Sequence, residues 1–314
     1  MNKILITGGS GFIGSHLAKG LSKKGFEVSV YDIKPNNNNE IEYINGDILN
    51  YRRLKAAIKG KKIVCHLAAM VGVEACLKDE EKVCRTNIEG TQNVIRACAE
   101  SGVENLLFTS SSEVYGEGSP FIVLDEGAKL NPISRYGESK LHGEWLMKQF
   151  SENSNVKVTV LRYCNIYGKR QRKEFVVSIF INNVLENKPL RICGDGEQLR
   201  SFTYIDDAVE GTIKALLRYE TQFDVFNIGS SYNIKIKDLA KKIIELNKSG
   251  KIEYVTYEEL NRKKDCEILY RIPSIEKARN CLGYSDATDL DKGLQTIFDY
   301  YKSLKEDLPV ASLT

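Results

Sequence analysis

The sequence predicts an α/β fold: a Rossmann-type doubly wound parallel sheet that carries a smaller C-terminal α/β lobe. Short apolar runs alternate with amphipathic stretches at βα spacing through the first half of the chain. A glycine-rich turn, Gly8-x-x-Gly11-x-x-Gly14, joins the first apolar run to the first helical pattern. After Tyr167-Gly168 the pieces become shorter and more polar. The expected division is 1–167 for the sheet domain, with 202–230 returning to it, and 168–201 plus 231–314 for the smaller lobe.

Lys3 to Thr7 (KILIT) is apolar enough for a buried parallel strand, and helical periodicity follows from Ile13 to Leu21. Glu27 to Asp32 reads as the second strand, Asn36 to Asn39 as a polar turn, and Ile41 to Ile44 as the third strand. Tyr51 to Lys59 is helical in pattern, and Lys62 to Ala69 is the fourth strand. A long helix from about Asp79 to Ser101 would gather Val83, Ile88, Val94, Ile95 and Ala99 on one face. Strand five, Asn105 to Ser110, precedes a helix from about Ser134 to Phe150, and strand six is Val156 to Arg162. Such alternation specifies parallel strands joined by helical crossovers. Beyond Gly168 the pattern gives a helix (Glu174 to Glu186) and a strand (Leu190 to Cys193) ending in a Gly194-Asp-Gly196 turn. A helix (Asp206 to Tyr219), a strand (Phe223 to Ile228), a helix (Ile236 to Asn247) and a strand (Ile252 to Tyr257) follow. Two late helices, Ser274 to Cys281 and Asp289 to Ser303, complete the lobe.

The chain has 314 residues, 42% of them hydrophobic and 28% charged, which are ordinary globular values. A net charge of +3 points to neither a nucleic-acid nor a membrane partner. The eight cysteines show no CxxC and mostly fall in apolar runs, so they read as buried small hydrophobes in a reducing compartment. The three histidines lack ligand-like spacing, and no metal site is expected. With no apolar stretch of transmembrane length and no signal-peptide pattern, a cytoplasmic soluble enzyme is the expectation.

Two motifs carry chemistry. Glycines at 8, 11 and 14 allow a tight turn and let a backbone approach a pyrophosphate at a helix N-terminus. Asp32, ending strand two, suits a ribose 2′-hydroxyl and repels a 2′-phosphate, so NAD is read over NADP. In Tyr136-Gly-Glu-Ser-Lys140 the phenol and the ammonium sit one helical turn apart on one face. A free phenol titrates near pH ~10 and is a poor base; a nearby ammonium favours its anion. The pair therefore reads as a general base.

These motifs converge with others. Thr7-Gly-Gly-Ser-Gly-Phe-Ile-Gly14, His66-Leu-Ala-Ala69, Ser110-Ser-Ser-Glu-Val-Tyr-Gly116 and Tyr136-x-x-x-Lys140 resemble the extended short-chain dehydrogenases that act on nucleotide sugars. Leu161-Arg-Tyr-Cys-Asn-Ile-Tyr-Gly168 and Gly194 to Asp207 resemble the same family's later motifs. The resemblance implies NAD as cofactor, with Phe12, Ile13, Asp47, Ile48, Leu67, Ala68 and Ala69 around it. It implies Tyr136 as base toward a sugar 4-hydroxyl, Lys140 holding the nicotinamide ribose, and Ser111 bridging the hydroxyl to Tyr136. Ser112, Asn165 and Arg200 would contact substrate, the last two at its diphosphate. A further diphosphate arginine is expected late in the chain; Arg262 is preferred, with Lys264 and Arg271 beside it.

The resemblance implies oxidation at C4, and the reading favours a nucleotide-sugar 4-epimerase of the UDP-glucose type. A 4,6-dehydratase would have Asp-Glu where Ser112-Glu113 stands, whereas Ser111-Ser112-Glu113 is close to a UDP-glucuronate decarboxylase pattern. Glu113 fits two roles equally, a carboxylate acting near C5 or C6, or one that bonds a neighbouring backbone at the strand end. Decarboxylase or dehydratase is thus the alternative, and a non-catalytic NAD-binding scaffold a third reading, disfavoured because Tyr136, Lys140 and Ser111 are all present. Leu141, Trp145, Leu146 and Met147, on the Tyr136 helix, suggest a homodimer through a four-helix bundle, as the family implies.

Overall fold

In the computed structural model, residues 3–36, 40–71, 79–218, 220–260 and 267–306 are described. The chain opens with β1 (Lys3–Thr7), α1 (Phe12–Lys23), β2 (Glu27–Asp32), β3 (Glu42–Asn45), α2 (Tyr51–Ile58) and β4 (Ile63–His66). Next come α3 (Glu80–Cys84), a wide π turn (Arg85–Glu89), α4 (Gly90–Ser101), β5 (Asn105–Ser111) and a 3-10 turn (Ser112–Tyr115). After α5 (Arg135–Glu152), β6 (Lys157–Tyr163) and β7 (Ile166–Tyr167) follow α6 (Val176–Leu185), β8 (Leu190–Cys193), β9 (Leu199–Ser201) and β10 (Thr203–Tyr204). The chain continues through α7 (Ile205–Leu216), β11 (Phe223–Ile228), β12 (Asn233–Lys235), α8 (Ile236–Asn247), β13 (Ile252–Val255) and β14 (Tyr270–Arg271). It closes with α9 (Glu276–Leu282) and α10 (Leu290–Glu306).

The main sheet has seven strands in the order β11-β6-β5-β4-β1-β2-β3, every pairing parallel. From β1 the chain moves outward through β2 to β3, then returns to β1's other side at β4. The carboxyl ends of β1 and β4 thus meet where strand order reverses, and a doubly wound sheet opens its ligand crevice there. Buried on both faces, the central strands read as continuous apolar runs: Ile4, Leu5, Ile6, Ile63, Val64 and Cys65 are fully buried. The smaller strands pair separately, as β10-β7, β12-β9-β14 and β13-β8. Aligned on adjacent parallel strands, Arg271 stands beside Arg200.

Three expectations are corrected. The predicted Asp79–Ser101 helix is interrupted by the π turn, whose extra residue rotates the buried stripe to Val83, Asn87, Gly90, Thr91, Val94, Ala97 and Cys98. Ala99 is exposed, and Ile88 and Ile95 are half-buried. Among the described cysteines, Cys65, Cys98, Cys164 and Cys193 are buried, but Cys84 and Cys281 are exposed. Strand four is also shorter than its apolar run: it ends at His66, and Leu67 to Ala69 leave the sheet.

Helix α5 starts where Ser134, in extended backbone, accepts a hydrogen bond from Gly137 N–H (3.0 Å). Its buried face is Gly137, Ser139, Lys140, Gly143, Glu144, Met147 and Ser151, an unusually polar stripe. Gly143 permits the close approach: a Cβ there would lie 2.5 Å from the Phe108 ring on β5. That approach brings Lys140 down against the strand.

Candidate active site

A cavity of about 840 Å3 runs along the carboxyl ends of β1, β2, β4 and β5 to Asn165 and Arg271. Gly8, Gly11, Phe12, Ile13 and Gly14 form one end. Gly8 adopts φ +71°, and a Cβ there would lie 2.6 Å from Ala68 N. A Cβ on Gly14 would lie 2.4 Å from Gly8 O, so the turn closes this tightly only with hydrogen at both positions. Helix α1 begins just behind it with no side-chain cap, leaving N–H groups that suit a phosphate. Asp32 lines the wall, held by Ser10 N–H (3.0 Å) and Lys34 N–H (2.9 Å). Asp47, Ile48, Leu67, Ala68 and Ala69 complete this half. A glycine cradle, an open helix start and an acidic residue at the end of β2 fit a dinucleotide.

Beneath the cradle lies His66. It shares hydrogen bonds with Thr7 Oγ1 (2.8 Å) and Thr91 Oγ1 (3.0 Å). Burial, reinforced by the charge of Lys140, pushes its pKa down to about 3, so it is neutral at physiological pH. Asn87, in the π turn, accepts from Met70 N–H (2.8 Å) and donates to Met70 O (3.1 Å) and Ser139 Oγ (2.9 Å). It clamps the cavity-lining segment after β4 to helix α5. Sequence reasoning passed over this residue, since nothing marks a buried Asn within an expected regular helix.

The other half of the cavity holds Thr109, Ser110, Ser111, Ser112, Glu113, Tyr136, Lys140 and Asn165. Lys140 is 3% exposed, and its Nζ donates to Thr109 O (2.7 Å) while lying 5.9 Å from the Tyr136 ring centre. Burial lowers its pKa to about 7, partly opposed by the negative charge of Glu144. Ser111 Oγ accepts Glu113 N–H (3.2 Å), which turns the strand end into the 3-10 turn. Ser112 is buried in that turn. Asn165 takes φ +40° and donates to Ser201 O (2.8 Å).

Glu113 is engaged at both oxygens. Oε1 accepts Arg271 Nη1 (2.9 Å) and Oε2 accepts Ser134 Oγ (2.8 Å). Burial disfavours its charge, but the Arg271 guanidinium and these hydrogen bonds outweigh that, holding the carboxyl below its ordinary range. Arg271 is 4% exposed, lines the cavity, and leaves a buried Nε without a partner. The preferred late arginine, Arg262, and Lys264 lie outside the described residues. Arg200 is not among the cavity-lining residues: it donates to Leu199 O (3.0 Å), Leu269 O (3.3 Å), Ile268 O and Glu267 (3.3 Å). Gln171, Arg172 and Phe175 of the smaller lobe, and Phe202 of the segment that returns to the sheet domain, also line the cavity. Among the described residues no cluster could hold a metal ion, and no helix is long and apolar enough to cross a membrane.

The model of the NAD dependent epimerase/dehydratase family matches residues 4–229. The chain belongs to that family. It is 32% identical over 321 residues to the UDP-N-acetyl-alpha-D-glucosaminuronate decarboxylase of Bacillus cytotoxicus, covering 97% of this chain and 99% of that protein. Among solved structures it resembles MoeE5, determined with NAD and either UDP-glucuronic acid or UDP-glucose, at TM-score 0.90 and 29% identity. That likeness covers at least 96% of this chain and 100% of MoeE5. It also resembles the UDP-glucuronic acid 4-epimerase of Bacillus cereus, determined with UDP-glucuronic acid and NAD. There the TM-score is 0.88 and the identity 33%, over 96% of this chain and 99% of the other.

Proposed function

We propose that this family member oxidises C4 of a nucleotide-linked sugar uronate and that the resulting 4-keto acid loses its carboxyl group. The observation that carries the reading is Arg271. A guanidinium in the cavity wall, 4% exposed and paired with the Glu113 carboxylate two residues beyond Ser111, suits recognition of an anionic sugar. A neutral hexose, the substrate of the UDP-glucose-type epimerase expected from sequence, offers no carboxylate to that guanidinium.

In this reading residues 168–201 and 231–314 bind the sugar nucleotide, and Asn165 meets its diphosphate. Gly8, Gly11, Gly14 and Asp32 would hold NAD, which would serve as both hydride acceptor and hydride donor at C4, so that no net oxidant would be consumed. Tyr136 takes the proton from the 4-hydroxyl, Ser111 bridges the two oxygens, and Lys140 holds the ribose and favours the phenolate. With a ketone at C4, the C5–C6 bond lies between a carbonyl and a carboxylate. Its cleavage releases carbon dioxide and leaves the electron pair as an enolate over C4 and C5. A proton must then reach C5, and the Glu113–Arg271 pair stands at that end of the cavity to position its source. The exposed Trp145 on α5 supports a homodimer built on α3, α4 and α5.

A second reading keeps the carboxyl and inverts C4. It is favoured by Glu113, whose two oxygens are both satisfied, as expected for a pair that only binds. Incubating the protein with NAD and, separately, UDP-glucuronate, its 2-acetamido analogue and UDP-glucose separates the readings by mass spectrometry. Loss of one carbon dioxide from a uronate supports the proposal, whereas unchanged mass with altered retention identifies epimerisation. Turnover of UDP-glucose alone rejects the uronate assignment.

A further inference from the structure

We infer that Glu144, paired with Arg162, is a positioning residue for the Tyr136–Lys140 turn, fixing that turn on the sheet and deciding whether Lys140 carries its charge. The inference rests on the roles given to Tyr136 and Lys140 above. Glu144 stands one helical turn beyond Lys140 on the same face and is 6% exposed. Its Oε1 accepts Ser110 Oγ and Arg162 Nε (2.9 Å), and its Oε2 accepts Arg162 Nη2 (2.7 Å). Ser110 adjoins Ser111, and Thr109, one residue earlier, supplies the carbonyl that holds Lys140 Nζ. One carboxylate therefore ties the helix to β5 and β6 beside both catalytic positions. Arg162, 3% exposed on β6, is held in turn by Tyr115 Oη (2.9 Å) and Glu126 O (3.1 Å), which locks the pair in register.

Lys140 and Arg162 are two buried cations with one buried anion between their chain positions, and arginine does not release its proton in a protein. If Glu144 loses its charge, the remaining pair of cations is relieved only by deprotonating Lys140. If Arg162 is removed instead, Lys140 becomes the partner of Glu144 and keeps its proton more firmly. Of the other groups on packed elements, Tyr115 touches the pair, its Oη accepting from Arg162 Nη1, and burial keeps that phenol protonated. His66 of β4 is neutral, Glu113 is held by Arg271, and Tyr115 donates to Asn227. Glu80 of α3 pairs with Arg135 at the surface, and Asp224 of β11 pairs with Arg218 and Lys277. Tyr136, on the helix itself, shares the cavity with Lys140.

Glu144→Gln and Arg162→Met break the same ion pair, so a purely structural role predicts similar effects from both. The inference predicts opposite ones. The full chain, labelled with 13C at lysine Cε, would be titrated by NMR, with Lys140 assigned by its loss in Lys140→Met. The midpoint, about 7 in the wild type, should fall on the order of one pH unit in Glu144→Gln and rise by a similar amount in Arg162→Met. Glu144→Gln/Arg162→Met, which removes both charges, should return near the wild-type midpoint, and it provides the readout where a single variant unfolds. Shifts in the same direction, or no shift, would overturn the inference. Because the titration needs no substrate, a correct charge result alongside an active Tyr136→Phe would reject the base assignment and leave the Glu144 inference standing.

Discussion

Replacing Arg271 by Met measures how far the site depends on one ion pair. The arginine side chain is 5% exposed and Glu113 20%, with 2.9 Å between Nη1 and Oε1. Methionine fills part of the stem's volume and deletes the charge, so Glu113 keeps Ser134 but loses its cation. Breaking a buried pair from one side costs about 3–5 kcal/mol. The residual exposure of Glu113 and its surviving hydrogen bond place this case at the lower end, roughly 3 kcal/mol, or about two decades in the folding equilibrium. The pH dependence fixes the sign. In the wild type the Glu113 carboxyl sits below its ordinary value of 4.5, so the pair's contribution is present above that value and is lost as pH falls through the folded pKa. In the variant, burial acts without Arg271, the carboxyl is pushed toward protonation, and acid relieves the penalty. Urea unfolding should therefore show the largest gap between the two proteins at neutral pH, closing as pH falls through 4.5. Glu113→Gln/Arg271→Met should recover about 1–3 kcal/mol relative to the sum of the single variants. A single variant within about 0.5 kcal/mol of wild type at neutral pH, or a gap that widens in acid, would refute the reasoning.

Tyr136→Phe should lower turnover by roughly two to four decades while leaving the NAD dissociation constant unchanged, because only the transferable proton is removed. Steady-state assays and cofactor titration read the two effects separately, and equal losses in both would reject the base role. Gly14→Ala places a methyl carbon 2.4 Å from Gly8 O and 2.6 Å from Gly9 Cα. The glycine turn must open to accept it, at about 1–3 kcal/mol of overpacking, and NAD affinity should fall by a corresponding ten- to hundredfold in fluorescence titration of the reduced cofactor.

Much of the sheet could be read from local pattern. Lys3–Thr7 and Glu27–Asp32 became strands with unchanged limits, the first because a strand buried on both faces reads as a nearly continuous apolar run. The glycine turn was legible because the backbone geometry it permits is written in which residues lack a Cβ, and Asp32 because it ends the second strand. Tyr136 and Lys140 were legible because helical spacing alone places them on one face.

Tertiary structure decided what spacing cannot encode. Arg271 stands 158 residues from Glu113, and only the pairing of β14 beside β9 brings its guanidinium to that carboxylate. Sequence offered three late cations and preferred Arg262, which with Lys264 lies outside the described residues. No motif in the sequence marks Glu144, and the close approach at Gly143 brings it to Arg162 on a strand formed later in the chain. The π turn that places Asn87 against Met70 and Ser139 has no composition signal, since its extra residue is held by tertiary contacts. Local sequence sets which backbone shapes and helix faces are cheap. The electrostatics of the site depend on distances between segments far apart in the chain, which exist only once the lobes have packed.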